Sequence, residues 1–370
     1  MRQEQIMTPE AGFVAFPNKI AFMYSRQPVI VQCGDSDTYP VAVTVTCDTN
    51  GGASYTERRR LHKGRAEFDI SRIMQLLAQG PDTLLQRLDA GDASLAEIFS
   101  LTVKIADTVA FTLERGIQAL YGALDAGESY GKGTRSVRLY ANYPQTVNLW
   151  RNLPNASFAV VVNNKQYATE TDATAPDCCE IGIRALLGDD AWADIQNARQ
   201  TTVLATWHSR IENGQAVLNP VRVFTIVPDN TPAGCGTYLR WLNRRGEVSY
   251  WRFDNAQLET AGAVAESFGR YYEGDPSTPS NGGFKNEDKR NFEETRRQTL
   301  TSTGVTDAEF ETLCDLQVSP VVEMLGEDGT LWHRVNVDAG TQSRRNRRDM
   351  PRLHDFEISI TLPKRNTVQL

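Results

Sequence analysis

The sequence predicts a mainly β fold with a minor α component: β-sandwich domains with a short helical insertion and a C-terminal helix plus β-hairpin block. Three observations carry this. Short apolar segments with period-two alternation run from residue 13 to 144, broken by turn residues at intervals of about 8–12. The stretch Cys235–Phe253, CGTYLRWLNRRGEVSYWRF, has the pattern of a β-hairpin and holds two of the six tryptophans. Helical spacing is concentrated at residues 71–99 and in the C-terminal block.

In the hairpin, Tyr238–Leu242 and Val248–Phe253 flank the turn Asn243-Arg244-Arg245-Gly246. Asn at the first position of a type I turn accepts a bond from the backbone ahead of it. Gly at the fourth takes the left-handed conformation, giving a three-residue loop with a bulge. This register pairs Asn243 with Glu247. It puts Leu239, Trp241, Trp251 and Phe253 on a core face, and Tyr238, Arg240, Tyr250 and Arg252 on the other, where Arg–aromatic pairs form across strands.

Taken in order, the domain at 13–144 opens with strands at 16–24, 28–32 and 41–47. Asn50-Gly51-Gly52 is a turn, and Ser54–Leu61 with Arg65–Ile70 reads as a hairpin hinged at Lys63-Gly64. In the insertion at 71–99, Ile73, Leu76, Leu77, Leu84, Leu85, Leu88 and Ile98 recur at helical spacing. Gly80-Pro81 and Gly91 interrupt them, so two short helices are expected. Strands return at 101–105 and 109–113. Asn142-Tyr143-Pro144 marks a boundary.

The second domain, 145–272, carries strands at 158–162, 181–183, 203–207 and 221–227, with one or two helical turns at 189–195. The organising hairpin lies near its end. Residues 273–291, EGDPSTPSNGGFKNEDKRN, read as a linker or exposed loop. The block 292–370 begins as a charged helix at 292–300. A second helix follows, with Thr306 as N-cap and Glu309 completing a capping box. Strands at 321–325 and 332–337 form a hairpin through Glu327-Asp328-Gly329, and a last strand spans 356–362.

The chain has 370 residues, enough for two or three domains, with 40% hydrophobic and 23% charged residues. A net charge of -7 opposes bulk nucleic-acid binding. No apolar run approaches the ~20 residues of a membrane span. The N-terminus is too polar for a signal peptide, so the protein is expected to be made and kept in a cytoplasm or released by lysis. The cysteines Cys33, Cys47, Cys178, Cys179, Cys235 and Cys314 show no CxxC spacing and are expected to be free thiols in a reducing compartment.

Residue patterns for chemistry are weak. His62, His208, His333 and His354 lie far apart, and none has a second His or Cys at i+2 or i+4. Asp177-Cys178-Cys179-Glu180 cannot turn all its side chains one way in a strand. The letters GxSxG occur at Gly127-Glu128-Ser129-Tyr130-Gly131, but in a loop-like segment with no strong helix after it; there is no Walker-type loop, and Gly127–Gly133 has the wrong spacing for one. The sequence is therefore read as a non-enzyme without cofactor, with no catalytic, cofactor-binding or metal residue to nominate. The cluster Arg344, Arg345, Arg347, Arg348 reads either as a phosphate-contacting loop or as a solvated or subunit-pairing loop. The flanking Asp349 and Asp355 favour the second, as an interface candidate. Tyr238, Arg240, Tyr250 and Arg252 are the candidate glycan-binding set, since exposed aromatics stack on sugar rings; Tyr271 and Tyr272 are further aromatics of that kind.

Tyr238-Leu239-Arg240-Trp241-Leu242-Asn243, then Gly246 and Tyr250-Trp251, resembles the "RWxN…G…YW" hairpin of uncharacterised proteins encoded in phage-like elements of gut Bacteroidetes. Tyr121-Gly122-Ala123 with Gly127-Glu128 resembles their "YGA…GE" segment, followed by Asn142-Tyr143-Pro144. Phe356–Asn366 resembles their closing strand and "LPxRN" tail. The resemblance touches all three blocks. It implies a structural component of a phage or phage-like tail or baseplate, located in the virion and assembled in the host cytoplasm. The implied partners are other tail or baseplate proteins and further copies of the chain, with a host-surface glycan as the alternative and neither membrane nor nucleic acid. A helix followed by Ser-Pro and a β-hairpin is also similar to tail-tube-like sandwiches, a likeness of fold alone.

Overall fold

A computed structural model describes residues 2–5, 12–34, 39–92, 94–123, 134–150, 156–162, 165–170, 178–197, 202–212, 215–232, 234–271, 285–340 and 353–363. The fold is mainly β with a minor α component. The chain divides into two compact units. The first comprises Met1–Ala233, Trp241–Tyr250 and Val318–Val321; the second comprises Gly234–Arg240, Trp251–Gln317 and Val322–Leu370. The three consecutive blocks expected from the sequence are thus regrouped. The tip of the Trp-rich hairpin belongs with the N-terminal strands and its base with the C-terminal ones.

In the first unit, β1 (Arg2–Gln5), β2 (Gly12–Phe16), β3 (Ile20–Phe22), β4 (Pro28–Cys33), β5 (Pro40–Cys47), β6 (Ala53–Arg60) and β7 (Arg65–Asp69) come first. Helices α1 (Ser71–Leu77) and α2 (Pro81–Asp89) follow, then β8 (Glu97–Ile105) and β9 (Thr108–Leu120). They make a sandwich of two sheets, ordered β1-β2-β4-β7 and β3-β9-β8-β5-β6. Alternation sets the faces: Val41, Val43 and Val45 are buried while Ala42, Thr44 and Thr46 are half-buried. Val14, Phe16, Val29, Val31 and Phe68 of one sheet share a core with Val43, Phe99, Leu101 and Val103 of the other. Phe16 stacks on Phe111 at 5.1 Å between ring centroids.

The expected hairpin of 54–61 with 65–70 is corrected. His62 and Arg65 exchange backbone bonds of 2.9 and 3.0 Å, so the tight turn forms. Beyond it β6 pairs with β5 and β7 with β4, in different sheets. β6 thereby pairs along its whole length, and Ala66 and Phe68 of β7 reach the core. The two expected helices of the insertion form, but Leu76 is exposed and Ile98 lies in β8 instead of a helix. Pro81 begins α2, where its missing N–H costs nothing, and Leu84 and Leu85 are buried.

The first unit continues with β10 (Thr134–Tyr140), β11 (Thr146–Trp150), β12 (Ala156–Val162), β13 (Lys165–Glu170), β14 (Cys178–Gly182), α3 (Ile183–Gln196), β15 (Thr202–Glu212) and β16 (Gln215–Asp229). Five of these strands form a sheet, ordered β10-β16-β15-β12-β13; β11 pairs with β14. Helix α3 is longer than the one or two turns expected and is kinked at Gly188. It buries Ala191, Trp192 and Ile195.

The chain then forms β17 (Thr237–Leu242), β18 (Val248–Phe253), β19 (Asn255–Tyr271), β20 (Lys285–Thr306), α3's successor α4 (Asp307–Cys314), β21 (Val322–Leu325), β22 (Trp332–Arg334), β23 (Asn336–Val337) and β24 (Leu353–Thr361). The sheet orders are β18-β17-β21-β22 and β19-β20-β24-β23. The charged helix expected at 292–300 is corrected: these residues lie inside β20. Glu, Arg and Gln favour helix locally, but β20 is flanked by β19 and β24, and ladder bonds on both sides outweigh propensity. In the register Arg297 stands opposite Glu259, while Glu294 and Arg296 stand opposite Gly262 and Thr260. Residues 285–291 of the expected linker are strand; residues 273–284 lie outside the described residues. The capping box of α4 forms as expected: Thr306 accepts from the Glu309 N–H while Glu309 accepts from the Thr306 N–H. Among the described residues no helix is long and apolar enough to cross a membrane.

Candidate functional site

The hairpin turn adopts the expected register. The Asn243 N–H donates to the Glu247 carbonyl at 2.9 Å, and the Gly246 N–H to the Asn243 carbonyl at 2.8 Å. The Asn243 side-chain oxygen accepts from the N–H groups of Arg245 (2.9 Å) and Glu247 (3.2 Å), and its amide donates to the Ser249 hydroxyl at 3.0 Å. Gly246 has φ +74°, the left-handed conformation the bulge requires. Leu239, Trp241, Trp251 and Phe253 are all buried, as the face assignment requires.

The turn sits against Tyr121-Gly122-Ala123. The Ala123 N–H donates to the Arg244 carbonyl at 2.6 Å. Beyond the turn, the Tyr250 hydroxyl meets the Thr146 hydroxyl at 2.8 Å, and the Val248 N–H donates to buried Glu180 at 3.1 Å. In the second unit, Phe253 lies 6.4 Å from Phe356 between ring centroids. Two further stretches that carry the resemblance each meet the hairpin within their own unit: 121–123 at its turn and Phe356 at Phe253.

The candidate glycan-binding face is not open. Tyr238 is 2% exposed and Arg240 3%, while Tyr250 and Arg252 are half-buried. Arg240 pairs with Glu323 (Nη2–Oε2 2.6 Å, Nε–Oε2 2.7 Å) and lies 4.2 Å from the centroid of the Trp332 ring, which also packs on Tyr238. The expectation that Arg pairs with an aromatic across strands is met, but by a residue of β22. Side chains of the third and fourth strands, Glu323 and Trp332, reach across to residues that a two-stranded reading leaves bare. Of the further aromatics, Tyr271 ends β19 and Tyr272 lies outside the described residues, as do Arg344, Arg345, Arg347 and Arg348.

A polar cluster that the sequence did not reveal lies under the helical insertion. Glu97 is fully buried and takes bonds from the Thr49 and Tyr121 hydroxyls, the latter at 3.4 Å; Arg87 approaches it at 3.5 Å. The Tyr121 oxygen accepts from the Gly80 N–H at 2.6 Å. Burial, reinforced by the Glu97 charge, pushes the Tyr121 phenol far above its usual value. Burial likewise raises the Cys47 thiol, with the Glu97 charge adding to it against hydrogen bonds from Thr49 and Asn50. A thiol held protonated is a poor nucleophile. The cluster ties 80–97 to the sandwich. Its signal in sequence is faint: one Glu at a buried strand position, separated from Arg87 and Tyr121 by structure-dependent distances.

His354 meets Asp307 at 2.8 Å beside Phe310, at the start of α4. Asp–His pairs serve nucleophiles, but here the pair fastens a strand to a helix end. Among the described residues no group of three His, Cys, Asp or Glu could hold a metal ion.

The most distinctive backbone feature is the β19–β20 ribbon. Its strands pair from Asn255↔Thr301 to Tyr271↔Lys285. Strand β24 accompanies β20 only as far as Arg297↔Thr361, with a last bond from the Leu362 N–H to the Arg296 carbonyl at 2.9 Å. Residues 261–271 and 285–295 therefore have only each other as ladder partners among the described residues. At about 3.3 Å per residue this arm spans roughly 35 Å.

No family model matches the chain, and no curated protein matches it in sequence.

Proposed function

We propose that the protein is a non-enzymatic structural component of a phage or phage-like tail or baseplate, and that it assembles with further copies of itself through the arm formed by residues 261–271 and 285–295. The observation that carries this is the length of that two-stranded arm beyond its sheet. A two-stranded ribbon is marginally stable in water by itself, and its open edges are templates for pairing. Assembly with a neighbour would supply the missing cover. The arm's sequence carries both signs of charge, from Glu266 and Arg270 to Lys289, Arg290, Glu293 and Glu294. Mixed charge suits a mixed protein surface better than a polyanion. The resemblance of the Trp-rich hairpin supplies the phage assignment.

The glycan-binding alternative has less support, because two of its four nominated residues, Tyr238 and Arg240, are buried. The test is the mass of the purified protein in solution, with imaging of the particles and a glycan array. A discrete symmetric oligomer without sugar binding is expected. A monomer with a sugar-specific signal would overturn the reading.

A further inference from the structure

Strand β6 is the outer edge of the sheet β3-β9-β8-β5-β6. It pairs with β5 along its whole length, from Pro40↔Arg60 to Cys47↔Ala53, without a bulge. It contains no proline, and its eight residues are exposed or half-buried. Natural edges of this kind are blunted by proline, by bulges or by charge. Here only charge is present, and nearly all of one sign: Arg58, Arg59 and Arg60, followed by Lys63 and Arg65.

The nearby acids are already engaged. Glu57 pairs with Arg59 at 2.7 Å, and Glu67 pairs with Arg65 at 3.2 Å and with Arg26. Arg59 is further held over the Phe68 ring at 5.3 Å. Arg58 and Arg60 have no partner among the described residues. They stand opposite Ala42 and Pro40, on the outer face of the sheet, where Lys104 also projects opposite Ala42. The small neighbours leave the two guanidinium groups open along the edge. On the alternate face Tyr55 is 48% exposed.

We propose that β6 is a docking edge for an acidic extended segment of a partner protein, which adds to the sheet as a sixth strand. Backbone bonds along β6 would give the affinity, and two carboxylates at alternate positions, i and i+2, would meet Arg58 and Arg60 and fix the register. An apolar side chain on the opposite face of the segment would cover Tyr55. The same arginines repel basic strands and gain nothing from neutral ones, so the edge is selective as well as open. This reading does not depend on assembly through the arm.

Short peptides alternating Glu and Thr, and Lys and Thr, test it by fluorescence anisotropy at low salt. Two further Glu–Thr peptides carry backbone N-methyl groups on every second residue, one in each frame. Strand addition predicts that the Glu–Thr peptide binds and the Lys–Thr peptide does not. One methylated frame should lose binding by at least about tenfold while the other retains it, because only alternate N–H groups face the edge. Arg58→Glu/Arg60→Glu should lose binding with the melting temperature unchanged, and Arg58→Lys/Arg60→Lys should keep part of it. Absence of Glu–Thr binding, equal binding of both methylated frames, or preference for single-stranded DNA would overturn the proposal.

Discussion

Gly122 lies against the backbone of Gly246: a Cβ on Gly122 would come within 2.7 Å of the Gly246 nitrogen and 2.5 Å of the Arg245 carbonyl carbon. The turn of the Trp-rich hairpin can therefore seat only on a residue without a side chain. Gly122→Ala should destabilise the first unit by about 1–3 kcal/mol, the usual cost of overpacking. Denaturant unfolding followed by tryptophan fluorescence measures it. A neutral result would mean that the turn is not seated there.

The Tyr121 phenol gives a pH signature. In the folded state it stays protonated, because burial and then the Glu97 charge raise its pKa. In the unfolded chain it ionises near pH 10, so above that point unfolding releases a proton and stability falls as pH rises. Below it the contribution is complete. The limiting slope from this one group is about 1.4 kcal/mol per pH unit. Thermal melts from neutral to strongly alkaline pH should show Tyr121→Phe less stable at neutral pH but with a shallower alkaline decline. Parallel curves for the two proteins would contradict the buried cluster.

Arg240 and Glu323 form a nearly buried ion pair, with side chains 3% and 13% exposed. Arg240→Ala strands the carboxylate and should cost about 3–5 kcal/mol, whereas Arg240→Met with Glu323→Leu should recover most of that. If Arg240→Ala instead left stability untouched while abolishing sugar binding, the glycan reading would return.

The parts of the fold that were legible in the sequence are those set by local chemistry. Asn243 and Gly246 specify one turn, Thr306 and Glu309 specify one helix start, and the valines of β5 specify one face. What was not legible depends on which distant strand pairs where. The segment 292–300 has helical composition and becomes strand because β19 and β24 flank it. Tyr238 and Arg240 read as an open face because nothing near them in sequence announces Trp332 and Glu323 as their cover. The arm is the least legible part: residues 285–291 read as linker and 292–300 as helix from their charge, and only the distant pairing of β19 with β20 makes them strand.

The arginines at 344, 345, 347 and 348 bear on assembly. Four guanidinium groups within five residues repel one another, and a neighbour's carboxylates would relieve that repulsion. Replacing all four with serine should leave the melting temperature unchanged and weaken the oligomer, and high salt should have the same effect on the unmodified protein. A steep, salt-dependent affinity for DNA that the serine variant lacks would make the loop a phosphate-binding element instead.

Shortening the arm is the most direct test of assembly. Ala261 and Thr295 are opposed across the ribbon, so a two-residue Asn-Gly turn can join them and remove only the unaccompanied part. Sedimentation analysis then compares this variant with the full chain at equal concentration. The full chain should form a discrete oligomer and the shortened one a monomer with the same β-rich circular dichroism spectrum. An oligomer of unchanged size after shortening, or a full chain that is itself monomeric, would contradict assembly through the arm.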